Sequence, residues 1–364
     1  DLDKNYFSDR HYKTADYWAW DRFDEIAKSN PNENTYPSYL EVSFSNACNF
    51  ACSYCSPEIS SKWMEDIQQN GSYPTKHGSH DLSYLKKTQK FPYLNSEVNP
   101  YVKAFWKWFP DALPHLKVLR ITGGEPTMSK ETWKLLDMLV ENPQPNLEIA
   151  INTNLCVPDK LITKLIESIN KLKGKVKKID VYTSLESIGE QAEYSRDGLD
   201  YAQWITNVEQ VLDQTDSSVA MMTTINILAL PTFEKFINVV MDFRKKYNKA
   251  FEYNRIPLSI NIMRWPPHLQ CTLLDTEDRE LYASAIESTC ESWLKYHSPD
   301  KFARLYLEEW DQIKRFCDYL RNSEPAIEHR QDFVRYIQAY DKRRRKNFRK
   351  VFPEYREILE DWNA

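Results

Sequence analysis

Cys48-Asn49-Phe50-Ala51-Cys52-Ser53-Tyr54-Cys55 follows directly on an apolar, strand-like run over residues 40–44. Three thiols within eight residues can serve one small inorganic centre. A structural zinc site takes four ligands and closes itself. Here no fourth Cys or His lies close by, the next histidines being His11 upstream and His77 downstream. A [4Fe–4S] cubane normally has a thiolate on each of its four irons, so three thiolates would leave one iron open to another ligand. Buried or incidental cysteines are the plain alternative, and a second motif bears on the choice.

That motif is Gly123-Gly124-Glu125-Pro126, at the end of Val118-Leu119-Arg120-Ile121-Thr122, which reads as a buried strand. The chain has only seven glycines, so an adjacent pair at a strand end is informative. Glycine lets the backbone bend sharply and approach a ligand closely. Glu125 adds a carboxylate able to accept hydrogen bonds from an ammonium group. A simple tight turn is the other reading. With both motifs in this order, the sequence resembles the radical S-adenosylmethionine (radical SAM) superfamily. The cysteine motif of that family is C-x3-C-x2-C with an aromatic residue before the last Cys, and Tyr54 fills that slot.

The rest of the chain alternates short apolar runs with amphipathic stretches. Strands are expected at 40–44, 118–122, 147–152, 179–184, 220–227 and 258–263, and helices at 130–140, 159–171, 201–212 and 233–247. Such alternation implies an α/β fold with a parallel sheet and right-handed crossovers. Six units suit the partial (β/α)6 barrel that the resemblance implies. The expected division is an acidic, aromatic N-terminal extension over 1–36, a barrel core over 37–272 and an all-helical C-terminal extension over 273–364. Barrel chemistry collects at the C-terminal ends of strands, where both motifs fall.

A long insertion at about 60–117 holds a polar stretch (68–80) and an aromatic helix (98–109). A connection this long is usually functional, so it is expected to form a lid or platform. His77 and His80 within it are a weak metal pair, or a solvated loop. Beyond residue 274, Leu281, Ile286, Cys290 and Trp293 are expected on one helix face, and Trp310, Ile313, Cys317 and Leu320 on another. The basic run Lys342-Arg343-Arg344-Arg345-Lys346 reads as a solvated helix face, with a phosphate, nucleic-acid or protein contact as the alternative.

The resemblance implies roles for particular residues. Cys48, Cys52 and Cys55 would hold a [4Fe–4S] cluster, and Gly123, Gly124, Glu125 and Pro126 the amino group of S-adenosylmethionine (SAM). Asn154 after the third strand, Ser184 and Glu186 after the fourth, Arg196 and Asn226 would complete the SAM pocket. Ser184 and Glu186 would meet the ribose and Arg196 the SAM carboxylate. Asn154 as a helix cap and Arg196 in a surface salt bridge are the ordinary alternatives. In the family an electron from a flavodoxin or ferredoxin-type donor cleaves SAM, and the 5′-deoxyadenosyl radical takes a hydrogen from the substrate.

Over residues 37–270 the chain is similar to SPASM/twitch-type radical SAM proteins, which carry auxiliary clusters on C-terminal cysteines. The remaining cysteines, Cys156, Cys271, Cys290 and Cys317, form no short C-x2-C pair. An auxiliary cluster is therefore not favoured. Cys156 and Cys271 follow expected strands, and either could give a hydrogen atom to a substrate radical; packed thiols are the plainer reading. The resemblance points towards peptide or protein modification by crosslinking or epimerisation. The alternatives are a nucleotide, sugar or other small metabolite as substrate, or a non-catalytic Fe–S protein for electron transfer or scaffolding.

A net charge of −5 gives no reason to expect nucleic acid or an anionic membrane as partner. The apolar runs are strand-length, short of a membrane span, and no leader-like run stands out. Seven unevenly spaced cysteines argue against a disulfide framework. A reducing cytoplasm is the expected compartment.

Overall fold

The computed structural model describes residues 15–93 and 97–363. The first part of the expected N-terminal extension, with His11, lies outside the described residues.

Six strands form one all-parallel sheet: β1 (Tyr39–Ser43), β2 (Val118–Thr122), β3 (Gln144–Asn152), β4 (Val176–Ser184), β5 (Ser218–Ile225) and β6 (Leu258–Ile262), paired in chain order. Every step moves one strand in the same direction, as repeated βα crossovers require. The result is a partial barrel. Four helices cover its outer face: α3 (Lys130–Glu141), α4 (Asp159–Leu172), α6 (Tyr201–Gln214) and α7 (Leu230–Tyr247). All six expected strands are present within a few residues of their expected ends. Between β4 and α6 lies a short helix, α5 (Gly189–Ser195), which the sequence did not announce.

Side-chain parity divides the sheet into two unlike faces. Leu119 and Ile121 of β2, Ile149 and Ile151 of β3, and Ile179 and Val181 of β4 are buried under the helices. The alternate positions point into the lumen, and Arg120, Asn152, Asp180, Tyr182, Ser184 and Thr224 among them are only partly buried. The lumen wall is thus polar and open to small solutes. At its floor Lys178 bridges Asp180 at 2.8 Å and Glu148 at 3.4 Å.

An edge strand presents unpaired N–H groups that invite further strands. On β6 that edge is closed by side chains of α9 (Leu307–Asn322): Glu309 accepts from Leu258 N and Gln312 from Ile260 N, each at 2.9 Å. Arg244 of α7 holds Glu309 from behind by a two-pronged ion pair.

The insertion contributes α1 (Ser61–Asn70) and α2 (Pro100–Ala112), capped by Ser60 and Asn99. Phe105 and Trp106 of α2 pack on Phe44, 5.1 and 6.1 Å between ring centroids, so the aromatic helix docks on the end of β1. His77 and His80 do not pair as ligands. His80 stacks on Trp63 at 4.4 Å, while His77 lies 4.8 Å from His329.

In the C-terminal region, α8 (Thr276–Ser292) packs on α9 through Ile286, Cys290, Ile313 and Cys317, all buried. Leu281 departs from expectation: it is 70% exposed, because five residues of helix separate it from the face that Ile286 occupies. The basic run is not a uniformly solvated face either. It closes α10 (Arg330–Arg344), where Arg343 and Arg344 approach Asp66 of α1 at 3.5 and 3.4 Å. Arg344 and Lys346 also reach Asp197, each at 3.0 Å.

Buried near α10 is His268, with neither ring nitrogen hydrogen-bonded among the described residues. Burial, then the neighbouring His80, pushes its pKa down to about 2. The unfolded chain takes up this proton below about pH 6.5, whereas the folded chain does not. The stabilising contribution is complete above that pH and is lost as pH falls towards 2, at about 1.4 kcal/mol per pH unit. His268→Phe is expected to flatten the acid limb of urea stability against pH. An unchanged slope between about pH 6 and 4 would count against it.

Candidate active site

The three motif cysteines lie in the loop that follows β1, half-buried and unpaired, whereas the other four are buried. Phe50 N donates to Cys48 Sγ at 3.4 Å, and Arg196 Nη1 to Cys52 Sγ at 3.8 Å. Burial, then neighbouring Cys52, pushes the Cys48 thiol up to about 12, and burial also raises Cys55. At Cys52 burial raises the thiol while Arg196 opposes the rise. A metal centre must therefore displace protons to bind here. Among the described residues no three His, Cys, Asp or Glu side chains could hold one metal ion. A zinc site demands such convergence; a cubane, taking each thiolate on a different iron, does not. The donor set, three thiols of which Cys48 and Cys52 accept hydrogen bonds at sulfur, fits an iron–sulfur cluster.

The loop is fixed from four sides. Ser60 Oγ donates to Phe50 O at 2.8 Å and Trp63 Nε1 to Cys52 O at 2.8 Å, both from the start of α1. Tyr336 of α10 donates to Ser53 O at 2.6 Å. Asn49, inside the motif, exchanges bonds with the end of β3: its amide donates to Cys156 O (2.7 Å), and its oxygen accepts from Asn154 Nδ2 (2.8 Å).

The glycine pair makes the fourth contact. Gly124 N donates to Ser45 O and Glu125 N to Ala47 O, at 3.1 and 2.7 Å. A Cβ on Gly124 would stand 2.4 Å from Ala47 O, and one on Gly123, whose φ is +132°, 2.7 Å from Ser45 O. Close approach to the backbone entering the cysteine loop thus demands glycine at both positions. Gly124→Ala is expected to cost about 1–3 kcal/mol and to reduce the iron retained. Wild-type values of both would refute this account.

Glu125 is 2% exposed. Its Oε1 accepts from Thr127 N, Thr127 Oγ1 and Thr153 Oγ1 at 3.0, 2.7 and 2.8 Å, and its Oε2 from Asn154 N at 2.7 Å. Burial pushes the carboxyl pKa up, against those hydrogen bonds. The side chain ties the β2 end to the β3 end and retains one acceptor site, on Oε2. Pro126 is buried in the same turn.

Glu186 and Arg196, expected to act separately, form one unit. Arg196 Nε and Nη2 donate to the two Glu186 oxygens at 3.1 and 2.5 Å, and both residues are almost wholly buried. Burial alone would lower the guanidinium pKa, but adjacent Glu186 raises it above its ordinary value. Tyr54 OH donates to the same carboxylate (3.2 Å), as does Thr224 N of β5 (3.4 Å). Ser184 stands on the lumen face at the end of β4. Asn226 caps the turn after β5: its amide donates to Thr224 O and its oxygen accepts from Leu228 N.

Cys156 and Cys271 lie apart. The Cys156 thiol turns to Gln203 Oε1 (3.2 Å) and Asp200 N (3.4 Å) at the start of α6. Cys271 is buried after β6 beside Arg279 and Tyr319. Asn49 and Thr224 were not singled out from the sequence, whereas Thr153 was expected beside Asn154 as a polar pair after the third strand. Of the two missed, only Asn49, by its place between two cysteines, offered a signal there.

The profile described as Radical SAM superfamily matches residues 42–240, more than half of the chain. The chain belongs to the radical SAM superfamily. Its cofactor chemistry is accordingly that of a [4Fe–4S] cluster and SAM. This radical SAM chain is 22% identical over 212 residues to the radical SAM cyclopropyl synthase TigE of Paramaledivibacter caminithermalis, covering 57% of this chain and 39% of that one. It is 33% identical over 116 residues to the GTP 3′,8-cyclase of Pasteurella multocida, covering 32% and 26%. With that of Vibrio vulnificus it shares 27% over 201 residues, covering 55% and 50%. The chain thus spans a quarter to a half of the length of these relatives. None of its described helices is long and apolar enough to cross a membrane.

Proposed function

We propose that this radical SAM enzyme holds its cluster on Cys48, Cys52 and Cys55, binds SAM at the ends of β2 to β5, and acts on a small polar metabolite in the lumen. The carrying observation is the lumen wall, polar from the Lys178 floor to Thr224 and only partly buried. The GTP 3′,8-cyclase names among the relatives support a nucleotide-like substrate. The peptide-modification reading has less support. A peptide added as a further strand needs a free sheet edge, and Glu309 and Gln312 close that of β6.

When bound, the cluster and SAM supply radical chemistry by one-electron cleavage of SAM. The residues of the chain position and tune. Arg196, clamped by Glu186, keeps its remaining amine on Cys52 Sγ, and a hydrogen bond to a ligating sulfur shifts the reduction potential of a cluster. Thr153, Asn154 and Glu125 lock the strand ends that frame the SAM site. Tyr54 OH on Glu186 keeps the aromatic ring against the guanidinium, 5.3 Å from its centroid. Cys156 or Cys271 as hydrogen-atom donor would require its buried thiol to become accessible.

The test is anaerobic reconstitution with iron and sulfide, then SAM and dithionite, with an assay for 5′-deoxyadenosine. Slow release without substrate, accelerated by a small polar substrate, is expected. A stable cluster that neither binds nor cleaves SAM would overturn the reading in favour of an electron-transfer or scaffold protein.

A further inference from the structure

Arg120 sits on the lumen face of β2, three residues before Gly123. Its Nε donates to Asn152 Oδ1 at 3.0 Å and its Nη2 to the Met222 thioether at 3.2 Å. The guanidinium carbon lies 4.5 Å from the centroid of the Tyr182 ring, and the Tyr39 hydroxyl is close by. Among the described residues no carboxylate comes within 4.0 Å to form an ion pair. Glu41, its partner in register on β1, accepts the Tyr39 hydroxyl instead, at 3.3 Å.

Of the four buried arginines among the described residues, three are provided for, while Arg279 keeps its Nε unpaired. Arg196 and Arg244 each have a carboxylate, and Arg255 donates to three backbone carbonyls. Arg120 has one amide oxygen, the Tyr39 hydroxyl and one thioether, a weak acceptor, but no carboxylate. A cation partly withdrawn from water without an opposite charge is unfavourable. Stacking and the Asn152 bond hold the guanidinium still, while donors remain for a ligand. That planar fork suits the oxygens of a phosphate or carboxylate.

The geometry points to Arg120 as the anchor for an anionic group, phosphate or carboxylate, on the substrate held in the lumen. The inference rests on the lumen being the substrate chamber. It narrows the substrate class to small anions and makes Arg120 a specificity-determining residue.

Calorimetry on the anaerobically reconstituted holoprotein tests it, with GTP, sodium tripolyphosphate and citrate as probes. At least one anion is expected to bind. Tripolyphosphate competing with GTP identifies a phosphate site; binding of citrate alone identifies a carboxylate site. Arg120→Gln is expected to weaken the bound anion about ten- to hundredfold, as loss of a charge-assisted bond implies, and Arg120→Lys by less. Three results overturn the anchor: no anion binding to wild type, wild-type affinity in Arg120→Gln, or SAM affinity falling by the same factor in both variants, which marks collapse of the lumen. Deoxyadenosine release by wild type is scored separately. Its absence with anion binding intact defeats the SAM-cleaving reading and leaves the anchor standing.

Discussion

Cys52→Ala protein, reconstituted with iron and sulfide without oxygen, is expected to retain almost none of the roughly four irons of a cubane. Cys52 is the central thiol of the motif and the one that receives the Arg196 hydrogen bond. Its removal leaves two thiols on a loop whose backbone is already committed to Ser60, Trp63 and Tyr336, and whose Asn49 side chain is held by Asn154. No neighbouring Cys can replace it, since the other four are buried elsewhere. Cys290→Ala provides the contrast. Cys290 lies in the α8–α9 packing, and its loss is expected to leave the iron count intact. Full iron retention in Cys52→Ala, or equal loss in Cys290→Ala, would remove the ligand assignment.

Glu186→Gln should unfold at markedly lower urea than wild type. It strips the counter-charge from an almost fully buried guanidinium and leaves Arg196 facing the Cys52 thiol and the Tyr54 phenol. Breaking one side of a buried pair costs about 3–5 kcal/mol, because the remaining charge stays desolvated. Replacing both partners with apolar groups avoids that penalty. The double variant Glu186→Leu with Arg196→Met is therefore expected to recover most of the stability while failing to bind SAM. Stability equal to wild type in the single variant would show the pair to be relaxed or hydrated. Normal SAM affinity in the double variant would remove both residues from the pocket.

The strands were legible because the helix-facing positions repeat apolar residues such as Leu119, Ile121, Ile149 and Ile151 at the period of a pleat. The two motifs were legible because chemistry restricts their residue types. What escaped was contact between distant segments. Nothing local announces that Arg196 folds back through α5 onto Glu186, or that Arg344 finds Asp66 and Asp197. The glycine pair was read as room for a ligand, yet the same missing Cβ atoms make room for the backbone of residues 45–47. Close packing and close binding place the same demand on sequence at that point. Leu281 misled because hydrophobicity was counted without regard to the helical period.

The bond from Tyr336 to Ser53 joins residues 283 positions apart. A ribosome makes the cysteine loop well before α10. While synthesis proceeds, the loop lacks the tyrosine and the arginines that later hold it and α1. Iron delivered during that interval would meet three thiols without their final frame. Iron is therefore expected to be held well only once α10 has been made, and a message cut short before α10 would yield a protein with every cysteine of the motif and a poor grip on iron.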